Sequence, residues 1–461
     1  MTTQPGRRSA TARRGGLTST ALLGLLLPAL TVGMLLLVQP HEPVDRARPP
    51  EPTTLKSASV ACPAAPDGAG TAYVATGQPG VRGAVKVSSG DQESSVRVQS
   101  GRVSTMPGAG AVVADGEGDL APGLIGARFG DRRLAAVDCP QPSPETWFTG
   151  VGAGTRHNSV LELTNPDAGP AVADVTVLAG GGEVTAGDLR GVTVPGNSSV
   201  QLDLSKAVPR RGELALRVVV SRGRLAPTVL DELPKLGARP LTQDWLPPQP
   251  EPADKNVLLG LPAGAGTHTL TVGNPGEDEV RATVKILTGD AAFAPQGLDA
   301  LRVPPGTVQT VAITAQVRQA IQDGALGVEV SSTGPVTAGL RSFVDGDLSQ
   351  SAPVLRGGTP MSLIVPPGDA SVLLADAAGV GVVTVSSWNE AGKELKEQRL
   401  EVKPGTGGKV DLPTGATLVT MTPRRTSVHA ALMTTGDGAS IVPFHELVLD
   451  ALIPDVRPGV P

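Results

Sequence analysis

Aromatic side chains are nearly missing from this chain: five Phe, three Trp and one Tyr make up 2% of its 461 residues. Any buried interior must therefore be built from Val, Leu, Ala and Ile, and a ligand platform of several stacked rings is excluded. Histidine is equally scarce. His41, His157, His268, His429 and His445 stand far apart, whereas zinc needs three or four ligands converging at about 2.0–2.3 Å, commonly from short sequence spacings. His445-Glu446 opens like a zincin helix, but Leu449 occupies the place of the second histidine, so His445 reads as a strand-end residue. His157 and His268 read as exposed loop residues.

Catalytic motifs are missing too. No Gly-x-Ser-x-Gly elbow, Ser-x-x-Lys pair or P-loop occurs, so no activated nucleophile or phosphate cradle is expected. Gly116, Gly118 and Ala121 imitate a dinucleotide fingerprint, but Asp115, Glu117 and Asp119 flank them and would repel a phosphate. The same acids alternate with glycine as in a calcium loop, yet Gly126 stands where a bidentate glutamate is needed. They read as an acidic hairpin tip, as does Asp345-Gly346-Asp347. No cofactor, no metal and no enzymatic activity are expected. The net charge is −5 and the four N-terminal arginines leave the remainder more acidic still. Without a Lys/Arg cluster to neutralise phosphates, nucleic acid is a poor partner.

Against these absences stands one long apolar run. Leu17 to Val38 is 22 residues without a charge, behind Arg7, Arg8, Arg13 and Arg14 in an acid-free tail. As a helix it would be about 33 Å long, enough for a hydrocarbon core of about 30 Å. The arginines should stay cytoplasmic and everything after residue 38 should face outward. A cleaved signal peptide normally has a shorter apolar region, about 7–15 residues, with a cleavage site directly after it. An uncleaved single-pass anchor in the cell membrane is therefore expected. Residues 39–60 are rich in proline and charge and read as a spacer.

Two cysteines in an exported chain are best read as a pair. Cys62 and Cys139 would close a loop of about 78 residues, worth about 4–5 kcal/mol in the chain-entropy account. Two buried thiols are the alternative.

Beyond the spacer the chain repeats itself. LELTNPDAGPAVADVTVLAGGGEV from Leu161 is answered by LTVGNPGEDEVRATVKILTGDAAF from Leu270, which places Asn165-Pro166 and Asn274-Pro275 109 residues apart. Pro-Gly pairs at Pro195, Pro305 and Pro404 recur at similar spacing. ALRVVVSRGRLAPTVL from Ala215, LGVEVSSTGPVTAGLR from Leu326 and TLVTMTPRRTSVHAAL from Thr417 close the units, and AVVADGEGDLAPGL from Ala111 is a shorter echo. Residues 173–178 and 282–287 alternate apolar and polar positions with the period of a half-buried strand. Short strands punctuated every 8–12 residues over about 100 residues predict antiparallel sandwiches of immunoglobulin-like type. The predicted organisation is a basic tail at 1–16, the anchor at 17–38, the spacer at 39–60, an abbreviated disulfide-clipped module at 61–145, and full repeats at 146–250, 251–357 and 358–461, set out as an elongated row. One helix is expected from Thr314, with Val317, Ala320 and Ile321 at helical spacing and Gly324 as C-cap.

Trp147 and Trp245 lie near module edges and are expected to staple neighbours, while Trp388 in SSWNEAG is a candidate ligand contact. The Arg-rich start, single span, Pro-rich spacer, ACP and DCP cysteines, Asn-Pro and VPPG-type repeats and SSWNEAG resemble an actinobacterial family of exported proteins of unknown function, over most of residues 20–447. The resemblance implies the location and the all-β build and transfers no catalytic residue. The function expected is a non-enzymatic, membrane-anchored scaffold or adaptor of the cell envelope, its partner an envelope protein or glycan. The alternative is a carbohydrate-binding array serving wall or glycan assembly.

Overall fold

Strand segments account for nearly all the order in this chain, and every multi-residue pairing among them is antiparallel. The computed structural model describes residues 28–34, 51–68, 70–131, 133–234 and 241–453. The expected anchor is described only at residues 28–34, which are helical. Among the described residues no helix is long and apolar enough to cross a membrane. The basic tail and residues 39–50 of the spacer lie outside the described residues. The rest of the spacer is folded, because Ser57–Cys62 is a strand of the first sandwich.

The alternation read from sequence has a direct cause. Ala171–Ala179 and Val280–Leu287 turn every second side chain inward, so each strand gains burial on one face and solvation on the other. The repeated Asn-Pro steps also have a job. Asn165 is fully buried, and its Nδ2 donates to the carbonyls of Gly169, Val194 and Pro195 while its Oδ1 accepts from Asp167 N. Asn274 repeats this with Asp278, Val303 and Gly276. Each asparagine pins the loop after its strand to the Pro-Gly turn of its own module, satisfying carbonyls that burial would otherwise orphan.

Four groups of strands follow, at 57–138, 145–246, 253–351 and 356–443. The first contains two four-stranded sheets, so the segment expected to be abbreviated has a complete strand set. Cys62 ends a strand of one sheet and Cys139 follows Ala136–Asp138 of the other, and their disulfide joins the two layers with Cα atoms 4.5 Å apart. In the third group Gly327–Val344 runs through both sheets, pairing with Ala253–Leu259 by its first half and Gly266–Asn274 by its second. The helix Thr314–Gln322 crosses between these sheets, burying Val317 and Ala320, and Gly324 ends it at φ +85°.

The groups do not form an elongated row. Ile125, Ala127 and Phe129 of the first share one core with Leu363, Val372 and Phe444 of the fourth. Leu259 and Leu326 of the third pack on Leu373 and Ile441 of the fourth. Trp147 of the second packs on Val308 of the third, and Trp245 packs on Ala135 and Val137 of the first. The contacts close a cycle, because the Val, Ala and Leu side chains on the second face of several strands find water nowhere else to avoid but against a neighbouring module. Leu124–Phe129 and Met361–Ile364 are buried on both faces.

At the middle of that cycle lie the last strands of the four groups: Ala136–Asp138, Thr242–Leu246, Asp347–Ser351 and Gly438–Pro443. Each is laddered to a single neighbouring strand, which leaves its other side unpaired. Side chains supply the missing partners. Asp244 accepts from Ala136 N at 3.4 Å, Gln350 N at 3.2 Å and Ser440 Oγ at 3.2 Å. Asp347 accepts from Thr242 Oγ1 at 3.0 Å, Arg133 Nη1 at 3.3 Å and Ala439 N at 3.0 Å. Each of these two carboxyls therefore touches all four sandwiches. Asp347 is a correction to the sequence reading: the hairpin tip is Asp345-Gly346, at φ +50° and +80°, and Asp347 next to it is 5% exposed.

Two outcomes are expected. Reducing the Cys62–Cys139 bond should cost about 2–5 kcal/mol, and hydrogen exchange should rise first in residues 57–62 and 136–138; uniform exchange across all four groups would contradict its local role. Asn165→Ala should lower stability by about 2–3 kcal/mol through its orphaned carbonyls, and a urea midpoint within error of wild type would contradict the clamp.

Candidate functional site

Where the first, second and fourth sandwiches meet, the packing leaves a cavity of about 230 Å³. Its walls come from the disulfide end of the first group, from Trp245 and the prolines that follow it, and from residues 441–448 of the fourth. Pro140, Pro227, Pro247, Pro248, Pro250 and Pro443 line it. Proline carries no N–H and fixes its own φ, so these walls are apolar and stiff. Pro140, Pro247, Pro248 and Pro250 follow strand ends, where a ladder no longer needs a donor, while Pro227 and Pro443 lie within the ends of strands.

Three titratable groups line this space, Asp138, His445 and Glu446, of which Glu446 is exposed and engaged by the Gly358 and Thr359 N–H groups. Burial pushes the Asp138 carboxyl up to about 8, because the charged form loses water without gaining a partner. Burial lowers the His445 imidazole below its ordinary value for the same reason. At neutral pH the cavity therefore offers a protonated carboxyl as donor and an uncharged imidazole. The two serines on its wall are engaged elsewhere, Ser143 with the Glu145 carbonyl and Ser362 with Thr420. The chemistry on offer is hydrogen bonding to a small neutral group, and the volume is below the roughly 300–1,000 Å³ of drug-sized pockets. His445, read as a strand-end residue, lies two positions beyond Gly438–Pro443 with its ring on the cavity.

A second opening lies between the second and third sandwiches, an open cleft of about 940 Å³. His157 and His268, expected on exposed loops, are both drawn inward, His157 at this cleft and His268 within its own sandwich. His268 is 4% exposed in its strand and its Nδ1 pairs with Ser342 Oγ at 2.8 Å. His157 opens the strand His157–Thr164 and meets Asp231 at 2.7 Å and Glu213 at 3.3 Å. Arg341 of the third sandwich pairs with Glu213 at 2.7 Å and also reaches His157. Burial works to lower the His157 pKa, but Asp231 and Glu213 outweigh it and raise it to about 9.

The remaining candidates are placed apart. Trp388 is half-buried against the fourth core, and a Cβ on Gly101 of the first sandwich would lie 3.1 Å from its indole Cδ1. Asp115 belongs to the strand Val112–Glu117 and accepts from Ser59 Oγ at 2.6 Å, away from any hairpin tip. Among the described residues no group of three or more His, Cys, Asp or Glu side chains is arranged to hold a metal. Sequence reasoning missed Asp138 and the proline walls. Their signals were the DCPQP stretch around the second cysteine and the LPPQPEP stretch from Leu246.

A family model described as a family of unknown function (DUF5719) matches residues 87–413, and the chain belongs to that family. No curated protein matches the chain. Among solved structures, a tetra-tandem repeat in the extending region of a large adhesion protein is 12% identical, covering 86% of this chain and 95% of that one at a TM-score of 0.11. An alpha-L-rhamnosidase of Streptomyces avermitilis complexed with L-rhamnose is 10% identical, covering 84% of this chain and 55% of that one at 0.12. Likenesses at these scores carry no argument about either fold or activity.

The cavity makes a pH-dependent statement. Unfolded Asp138 titrates near its ordinary value and folded Asp138 near 8, so the folded state holds a proton that the unfolded state has released. Stability associated with this group is full below about pH 4 and is lost as pH rises to about 8. Asp138→Asn should leave the thermal midpoint unchanged at pH 4 and raise it progressively up to pH 8. The same shift at both pH values, or a drop at pH 8, would contradict the buried, unpartnered carboxyl.

Proposed function

From membership in a family without an assigned activity, we propose that this protein is a membrane-anchored scaffold or adaptor outside the cytoplasmic membrane of an actinobacterial cell, non-enzymatic and built of immunoglobulin-like modules. The observation that carries the reading is the double clasp of Asp244 and Asp347, through which four sandwiches of one chain hold each other in a fixed arrangement. A bridging or display element needs such fixed spacing between its surfaces. A chain of independent modules would not supply it. The uncharged run of residues 17–38 behind four arginines supports the tether, as do Leu30, Val32 and Met34, exposed on the helical residues 28–34.

A second reading, glycan binding in wall or glycan assembly, draws support from the cavity at Asp138 and His445. Its neutral donors and stiff apolar walls suit one sugar-sized group rather than a polymer. Trp388 enters this reading only as a half-buried neighbour of the fourth core.

Photo-crosslinking in intact cells separates the two. The scaffold reading expects discrete protein adducts from probes on the sandwich surfaces, together with cleavage of the sandwiches by externally added protease. No adduct above the unirradiated control, or full protection from protease, would contradict it.

A further inference from the structure

The cleft between the second and third sandwiches carries charge that the fold does not use. Its rim holds Arg156, Arg210 and Arg211, all exposed. Among the described residues none of the three makes an ion pair or a side-chain hydrogen bond. They come from two turns that lie together: Arg210 N donates to the Ala153 carbonyl at 3.0 Å, and a Cβ on Gly154 would lie 3.2 Å from the Arg211 carbonyl. Arg210 itself sits at φ +63°, a left-handed conformation that a non-glycine residue adopts at a cost.

The floor is charge-balanced, with His157 and Arg341 ion-paired to Glu213 and Asp231, so the rim guanidinium charge is not cancelled from below. The lining contains one acid, Glu213, and its Oε1 is occupied by Arg341 and His157. Asp231 lies beneath, accepting from His157, Ser159 Oγ and Gln350. Glu213 Oε2 is buried with no hydrogen-bond partner. So a chain of net charge −5 gathers three unpaired arginines around one opening, above an ion-paired floor that leaves one acceptor oxygen unsatisfied.

We propose that this cleft binds a phosphate-bearing polyol or sugar chain, whose phosphates pair with Arg156, Arg210 and Arg211 and whose hydroxyl donates to Glu213 Oε2. Guanidinium presents a planar fork that engages phosphate oxygens in pairs, and three of them on one rim offer more than one such fork to a chain. An open cleft lets such a chain pass through rather than end inside. A hydroxyl beside the phosphate satisfies the orphaned carboxylate oxygen, which a bare phosphate would repel. The inference deepens the adaptor reading by naming the chemistry of a partner.

The test is fluorescence anisotropy of a labelled glycerol-phosphate oligomer with the full-length protein in detergent micelles. Saturable binding that weakens as salt rises is expected, falling about tenfold or more in the Arg156→Ser/Arg210→Gly/Arg211→Ser variant. Glycine at 210 keeps the left-handed turn, and an unchanged thermal midpoint shows that the variant is folded. Absence of saturable binding at low salt, equal binding by the folded variant, or binding of polygalacturonate or neutral dextran as tight as that of the phosphate oligomer would each overturn it. Those failures leave crosslinking to envelope proteins untouched, so the cleft and the scaffold reading fall separately.

Discussion

Four sheet edges meet in the middle of this molecule, and an edge strand cannot be buried with its N–H groups unpaired. The strands Ala136–Asp138, Thr242–Leu246, Asp347–Ser351 and Gly438–Pro443 do not pair with one another as a ladder. Asp244 and Asp347 accept the orphaned donors in place of a neighbouring backbone. That solution has a cost. Burial, and then the Asp347 charge, drive the Asp244 carboxyl far above its ordinary range, and burial raises Asp347 as well. The donors from all four sandwiches and the Arg133 guanidinium work against that cost. Glycine at 438 belongs to the same device, since a Cβ there would meet Asp347 Oδ2 at 2.1 Å.

The cavity and the cleft both descend from this closure. The cavity exists because Trp245 is drawn against Ala135 and Val137 while the fourth sandwich brings residues 441–448 to the same place. The cleft exists because the third sandwich presses Gly339 so close to the second that a Cβ would sit 1.9 Å from the Thr149 carbonyl. That approach carries Arg341 into reach of Glu213 and His157. Asp138 and His445 owe their shifted protonation to burial where modules meet, whereas His157 owes its own to Asp231 and Glu213 of its own sandwich, against the Arg341 charge of the third.

Much of the local structure was legible in the sequence, and the reasons are local. Strand alternation, the Asn-Pro and Pro-Gly steps and the helix at Thr314–Gln322 each rest on residues a few positions apart, whereas the asparagine clamp reaches about 30 positions and was not foreseen. The pairing of Cys62 with Cys139 followed from their being the only two cysteines. Closure was not legible, because its contacts join residues such as Ala136 and Ser440 across 304 positions. The one available signal was loss of alternation: LIGARF and MSLI are nearly unbroken runs of inward residues, the mark of strands covered on both faces. Asp347 could not be distinguished from Asp345 by composition, and the polar floor of the cleft draws on residues from two modules that the repeat pattern treats as separate.

Amide hydrogen exchange in the Asp244→Ala variant tests the clasp most directly. If one carboxyl secures four edges, exchange should rise together in residues 136–138, 347–351 and 438–443 as well as in 242–246. A rise confined to 242–246 would show that the sandwiches hold together without it, and would contradict the account.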